Sequence, residues 1–177
     1  MADSLRLRVL KALTAHLETI TIANGYDVDL AGKVKRGKTV FGEEMLGQVP
    51  FLSILEPLKP GSGIEAGEEQ TRRSEPWLIL IQGFAQDDKE NPSDPAYALM
   101  AAVEQCLGQV ISINESSGNP EFPDAYNLGG LIGGLAYGPG LAHPPQRDIS
   151  SKAFFYLPVT ISLVYDVRRP YTAPNEL

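Results

Sequence analysis

Phe154-Phe155-Tyr156-Leu157-Pro158-Val159-Thr160-Ile161-Ser162-Leu163-Val164-Tyr165-Asp166-Val167 reads as one long strand with a single buried face. Phe155, Leu157, Val159, Ile161, Leu163, Tyr165 and Val167 recur at every second position, and Pro158, Thr160, Ser162 and Asp166 fall between them, which is the period of a pleated strand. Pro158 has no amide hydrogen to give, so the strand is expected at a sheet edge or with a bulge there. Upstream, residues 51–56, which run into Pro57, and Trp77-Leu78-Ile79-Leu80-Ile81-Gln82-Gly83-Phe84 are apolar runs too short for helices and read as two further core strands.

Helical spacing appears in two places. Leu5, Val9, Leu10, Leu13, Leu17 and Ile20 recur three and four apart, which predicts an amphipathic helix over 4–24, started by Asp3 or Ser4 and stopped by Asn24-Gly25. Asp94 as N-cap and Pro95 at the first helical position open a second helix, with Leu99, Met100, Val103, Leu107 and Val110 on its buried face. Tyr26-Asp27-Val28-Asp29-Leu30 alternates like a short strand, and residues 32–41 form an extended piece able to pair with it. Gly129-Gly130-Leu131-Ile132-Gly133-Gly134-Leu135 and Tyr137-Gly138-Pro139-Gly140 suggest short strands and tight turns. Residues 59–75, rich in Gly, Glu and Arg, bury too little to hold themselves down and read as a hairpin arm or mobile loop. The fold class is α+β, a mostly antiparallel sheet packed against two main helices, in one domain over 1–177 without internal repeat.

The composition is that of an ordinary globular chain, with 43% hydrophobic and 21% charged residues. A net charge of −7 gives no general basic footprint for coating nucleic acid. A single cysteine, Cys106, leaves no internal disulfide and no Cys-x-x-Cys zinc site. The absence of an apolar run of about 18 to 20 residues argues against a membrane partner. Met1-Ala2-Asp3-Ser4-Leu5-Arg6 lacks the apolar core of a signal peptide, so a cytoplasmic site of synthesis and assembly is expected.

No catalytic, cofactor or metal constellation emerges. His16 and His143 are far apart in sequence, Cys106 has no basic neighbour to activate it and reads as a buried inert thiol, and the glycines of 129–140 lack the Lys-Ser/Thr of a phosphate loop. Asp87-Asp88-Lys89-Glu90-Asn91 lacks the ligand spacing of a calcium loop and reads as a solvated turn before the second helix. Charge is unevenly placed: residues 1–40 hold seven basic and four acidic side chains, residues 41–124 four basic and fifteen acidic. Lys33, Lys35, Arg36 and Lys38 concentrate the positive charge on one extended segment. Alternation puts Lys35 on one side and Arg36 and Lys38 on the other unless Gly37 bulges. A charged edge strand that discourages aggregation is one reading of that segment, and contact with an anionic partner is the other.

The run Ile20-Thr21-Ile22-Ala23-Asn24-Gly25-Tyr26, then Val34-Lys35-Arg36-Gly37-Lys38-Thr39-Val40-Phe41-Gly42-Glu43, Leu52-Ser53-Ile54-Leu55-Glu56, Gln82-Gly83-Phe84, Asn91-Pro92-Ser93-Asp94-Pro95-Ala96-Tyr97 and the closing Leu157-Pro158-Val159-Thr160-Ile161 strand resembles the tail terminator proteins of long-tailed bacteriophages. The resemblance covers nearly the whole chain in order and rests on fold-building residues. It implies a structural protein, not an enzyme, that forms a six-membered ring on the finished tail tube and stops tube polymerisation. Its other face would meet head-completion or connector proteins at the head-proximal end of the virion tail. The implied partners are further copies of the chain, the tail tube protein, the head-completion protein and, transiently, genomic DNA; no cofactor is implied. On this reading Lys33, Lys35, Arg36 and Lys38 are candidates for a channel or tube contact, and Glu65, Glu68, Glu69, Arg72 and Arg73 for a docking arm. The alternatives are another neck component, such as a head-closure or connector protein, and a small prophage enzyme.

Overall fold

The computed structural model describes residues 2–58 and 70–176. Its framework is an antiparallel ribbon of two thirteen-residue strands, β3 (Arg72–Phe84) and β6 (Phe154–Asp166), paired along their whole length from Arg72 opposite Asp166 to Phe84 opposite Phe154. β2 (Phe51–Leu55) lies antiparallel to the last five residues of β3, and β1 (Val34–Arg36) runs parallel to β2 at the edge. On the other side of β6 sit β4 (Gly134–Tyr137) and β5 (Leu141–His143), giving six strands among the described residues in the order β1-β2-β3-β6-β4, with β5 also on β6. The α+β class read from the sequence is the class observed, with a single parallel pair in an otherwise antiparallel sheet.

α1 (Leu5–Leu17) and α3 (Asp94–Ile111) cover one face of this sheet; α2 (Glu43–Leu46) and α4 (Asn127–Gly130) are short turns. Leu5, Val9, Leu13 and Leu17 of α1 and Leu99, Val103, Leu107 and Val110 of α3 pack against Trp77, Ile79, Ile81, Phe155, Leu157, Val159, Ile161 and Leu163. Each such side chain contributes about 1.5–3 kcal/mol by leaving water, so this layer supplies most of the driving force. Among the described residues the opposite face is covered at one end only, where Phe51, Phe84 and Phe154 pack under Phe41, Met45, Leu46 and Val49. The rings of Phe41 and Phe84 lie 4.7 Å apart and those of Phe51 and Phe84 4.8 Å.

Several sequence expectations are corrected. The first helix stops at Leu17, where Thr19 Oγ1 donates to the His16 carbonyl and Asn24 Nδ2 to the Thr19 carbonyl. Thr19-Ile20-Thr21-Ile22 is β-branched throughout and favours this exit. Gly25, at φ +88, instead closes the 3₁₀ turn Ile22–Asn24. Tyr26-Asp27-Val28-Asp29-Leu30 is not a strand: the Leu30 amide donates to the Ile20 carbonyl and the Ala31 amide to Asp29 Oδ1. The extended segment after it pairs with β2. Ser93, not Asp94, is the cap of α3, and Asp94 is its first residue.

Pro158 lies in an interior strand without a bulge. Its carbonyl accepts from the Gly138 amide, so its ring nitrogen points to the gap between β4 and β5, where no ladder bond is needed. Residues 59–69 of the expected arm lie outside the described residues, whereas Arg72 to Glu75 belong to β3.

A C-terminal return closes the structure. The Leu5 amide donates to the Pro170 carbonyl at 2.8 Å, and Arg8 grips Glu176 through two bonds of 3.0 and 2.8 Å while donating to the Tyr171 carbonyl at 2.7 Å. Asp166, at the end of β6, is held by Arg168 through its guanidinium and its amide.

Candidate interaction site

β1 places the basic segment at the sheet edge. Lys33's carbonyl accepts from the Leu52 amide and Gly37's amide donates to the Ile54 carbonyl, so by strand alternation the backbone groups of Val34 and Arg36 face away from β2. Lys35 stands opposite Ser53 on the sheet face away from the helices, and Arg36 turns to the helix side, where its guanidinium donates to Thr14 Oγ1 of α1 at 3.3 Å. Gly37, at φ +65, swings the chain off the strand, and Ser53 Oγ donates to the Lys38 carbonyl at 2.6 Å. The bulge allowed for at Gly37 is thus a left-handed turn, which a residue with a Cβ takes only at a cost.

Lys35, Arg36 and Lys38 are exposed and Lys33 partly so, and among the described residues none of the four makes an ion pair. Lys35 Nζ donates to the Gly32 carbonyl at 2.9 Å, and Lys33 borders a groove of about 430 Å³ that Asp27 and Asp29 also line. Lys35 and Arg36 thus lie on opposite faces of the edge strand, and Lys33 and Lys38 flank it.

The proposed arm residues divide. Glu65, Glu68 and Glu69 lie outside the described residues. Arg72 and Arg73 are strand residues opposite Asp166 and Tyr165; Arg73 Nε donates to the Gln70 carbonyl at 3.0 Å, and its guanidinium lies 3.6 Å from Glu75. They belong to the long ribbon and not to a loop.

The other chemistry-bearing groups make contacts within the fold. Cys106 is completely buried; burial pushes its thiol up to about 11. Its carbonyl meets His16 Nε2 at 2.8 Å, tying α1 to α3. Burial likewise pushes the neighbouring Tyr26 phenol up to about 12, and Gln109 donates to its oxygen. His143 ends β5 and stacks on Phe154 at 5.1 Å, on the sheet face away from His16. Among the described residues no three His, Cys, Asp or Glu side chains gather as a metal site, and no helix is long and apolar enough to cross a membrane.

Sequence reading overlooked a groove of about 460 Å³ between Thr39, the end of β2 at Leu55 to Leu58, and Leu78 to Leu80 of β3. Leu58 is fully exposed and Leu78 half exposed. The signal was present: Trp77-Leu78-Ile79-Leu80-Ile81 is apolar on both faces, unlike β6, and a strand with two apolar faces has something to cover on each. Comparison with protein-family models and with characterised proteins gives no match for this chain.

Proposed function

We propose that this chain is a tail terminator of a long-tailed bacteriophage, a structural subunit of a six-membered ring that caps the tail tube, stops tube growth and presents its other face to the head-completion protein. The resemblance along the sequence motivates the reading. The observation that supports it best is the sheet's pair of unlike edges: β1, short and basic, and β4, short and uncharged. A closed ring requires two different, mutually fitting surfaces on each subunit, and two unlike edges provide a starting pair.

In a hexamer, two of the four cations per subunit would place about twelve positive charges around one opening, which act over a Debye length of about 8 Å at physiological salt. They would border the channel through which DNA passes or meet the acidic face of a tube subunit. Deleting the gene from the phage tests the reading. A terminator deletion gives tubes of uncontrolled length that do not join heads; tails of normal length that fail to join heads would assign the chain to a head-closure or connector role instead.

A further inference from the structure

We infer that the bare face of the β3–β6 ribbon is a self-association surface, on which a second copy of this chain packs sheet to sheet about a two-fold axis running along β6. The inference rests on the face of the sheet and not on its edges, and it holds whether or not the chain caps a tail.

β3 turns Pro76, Leu78 and Leu80 away from the helices, and β6 turns Ser162, Thr160 and Pro158 the same way, directly opposite them. None of the six is charged, none is buried, and Leu78 is 49% exposed. Among the described residues neither apolar cluster packs over them. The uncharged stretch begins past Arg72 and Asp166, which face each other at one end of the ribbon, and stops at the aromatic cluster of Phe84 and Phe154 at the other. An open apolar stretch of this kind, in a chain with 21% charged residues, marks a surface that meets another.

Its relief suits a copy of itself. Leu78 stands up from β3, and in the same row, one and two strands away, lie the shorter Thr160 and Ala136. There the short side chains leave a hollow of about 360 Å³ lined by Pro76, Gly134, Ala136, Thr160 and Ser162. Glu75 also borders it, but its carboxylate is engaged by Arg6, Arg73 and the Tyr165 hydroxyl. A two-fold axis along β6 exchanges the places of β3 and β4, so the Leu78 of each copy enters the hollow of the other above Ala136, an isologous contact made twice. Aligned sheets pack about 10 Å apart with their side chains interdigitated in this manner.

Charge favours the same occupant. A chain of net charge −7 repels its own copies, and these rows let two copies meet without opposing like charges. About nine residues of strand at about 3.3 Å each, across three strands about 4.8 Å apart, give a flat footprint of about 400 Å². Side-chain relief raises the accessible area toward about 600 Å² per partner, the low end of specific interfaces, which suits a reversible pair.

The test is sedimentation velocity on the full chain from about 1 to 500 μM. The parent is expected to form a dimer with a dissociation constant on the order of 10 μM. Leu78→Glu brings a carboxylate to each hollow and Ala136→Lys an ammonium, unpaired in either case, so each variant alone should pair at least about tenfold more weakly. An equimolar mixture of the two should recover a mixed dimer, because the new carboxylate then meets the new ammonium while the second contact stays as in the parent. Both substituted side chains are exposed, and unchanged far-ultraviolet circular dichroism confirms that each variant is folded. A parent chain that stays monomeric at about 500 μM, self-association that neither substitution weakens, or a mixture that pairs no better than its components would each overturn the inference.

Discussion

Replacing Gly83 with alanine should unsettle the β3–β6 ribbon more than any other single methyl group. Gly83 faces the helix layer opposite Phe155, and a Cβ built there would lie 2.1 Å from Phe155 Cε1, 2.6 Å from Cζ and 2.8 Å from Cδ1. Carbon atoms settle at about 3.5–4.0 Å, so the ring must retreat by about 1.5 Å. Phe155 is fully buried among close-packed neighbours and has no space to yield. Overpacking of this kind costs about 3 kcal/mol, which for a chain of this size lowers the melting temperature by about 6–12 °C.

Urea titration followed through Trp77, the chain's single tryptophan, buried in the same strand, reads the loss. A double-mutant cycle then localises it. Phe155→Leu alone removes ring atoms and costs about 1–2 kcal/mol, but it also vacates the space the new methyl needs, so the double variant should lose at least about 1.5 kcal/mol less than the sum. Strict additivity, or a Gly83→Ala chain within about 0.5 kcal/mol of the parent, would refute the packing argument.

Three other outcomes follow from single contacts. Hydrogen bonds from Arg8, then from the Ala173 amide, lower the Glu176 carboxyl from its ordinary 4.5 to about 2, so the C-terminal clasp stabilises the fold fully above about pH 4.5 and loses that contribution as pH falls toward 2. Glu176→Gln should flatten the stability profile in that window, leaving the part due to Asp166, which Arg168 also holds near 2; an unchanged profile would remove the clasp from the account. Cys106, buried and with its thiol pushed up to about 11, should react with a thiol reagent at pH 8 only after unfolding, and prompt native labelling would contradict its placement. In the phage, the K35Q/R36Q/K38Q chain separates the roles of the basic edge: over-long tubes indicate a tube contact, normal tails with slow genome ejection a channel lining, and normal infectivity with an aggregating subunit a purely protective edge.

The long elements were legible because their periodicity is set by burial. β6 alternates since one face meets the helices, and Leu99, Met100, Val103, Leu107 and Val110 of α3 are buried as read, with Ala96 buried as well. Errors gathered where tertiary partners overrule local pattern. Pro158 is harmless inside the sheet because two short strands leave a gap beside it, and that gap is set by Gly138, twenty residues upstream. Arg72 and Arg73 read as loop because they are charged, but they extend β3 since β6 offers a partner along its whole length. The basic edge was visible as composition. That β1 pairs parallel with β2 rather than with its sequence neighbour, and that its outward amides stay unpaired among the described residues, depends on contacts between segments that carry no local signal.

Electron microscopy of purified tail tubes mixed with the purified chain tests the central claim most directly. The account predicts a ring with six-fold symmetry at one end of each tube and no further growth when tube subunits are added. Bare tube ends that keep growing in the presence of excess folded protein, or a ring of another order at the tube end, would contradict it.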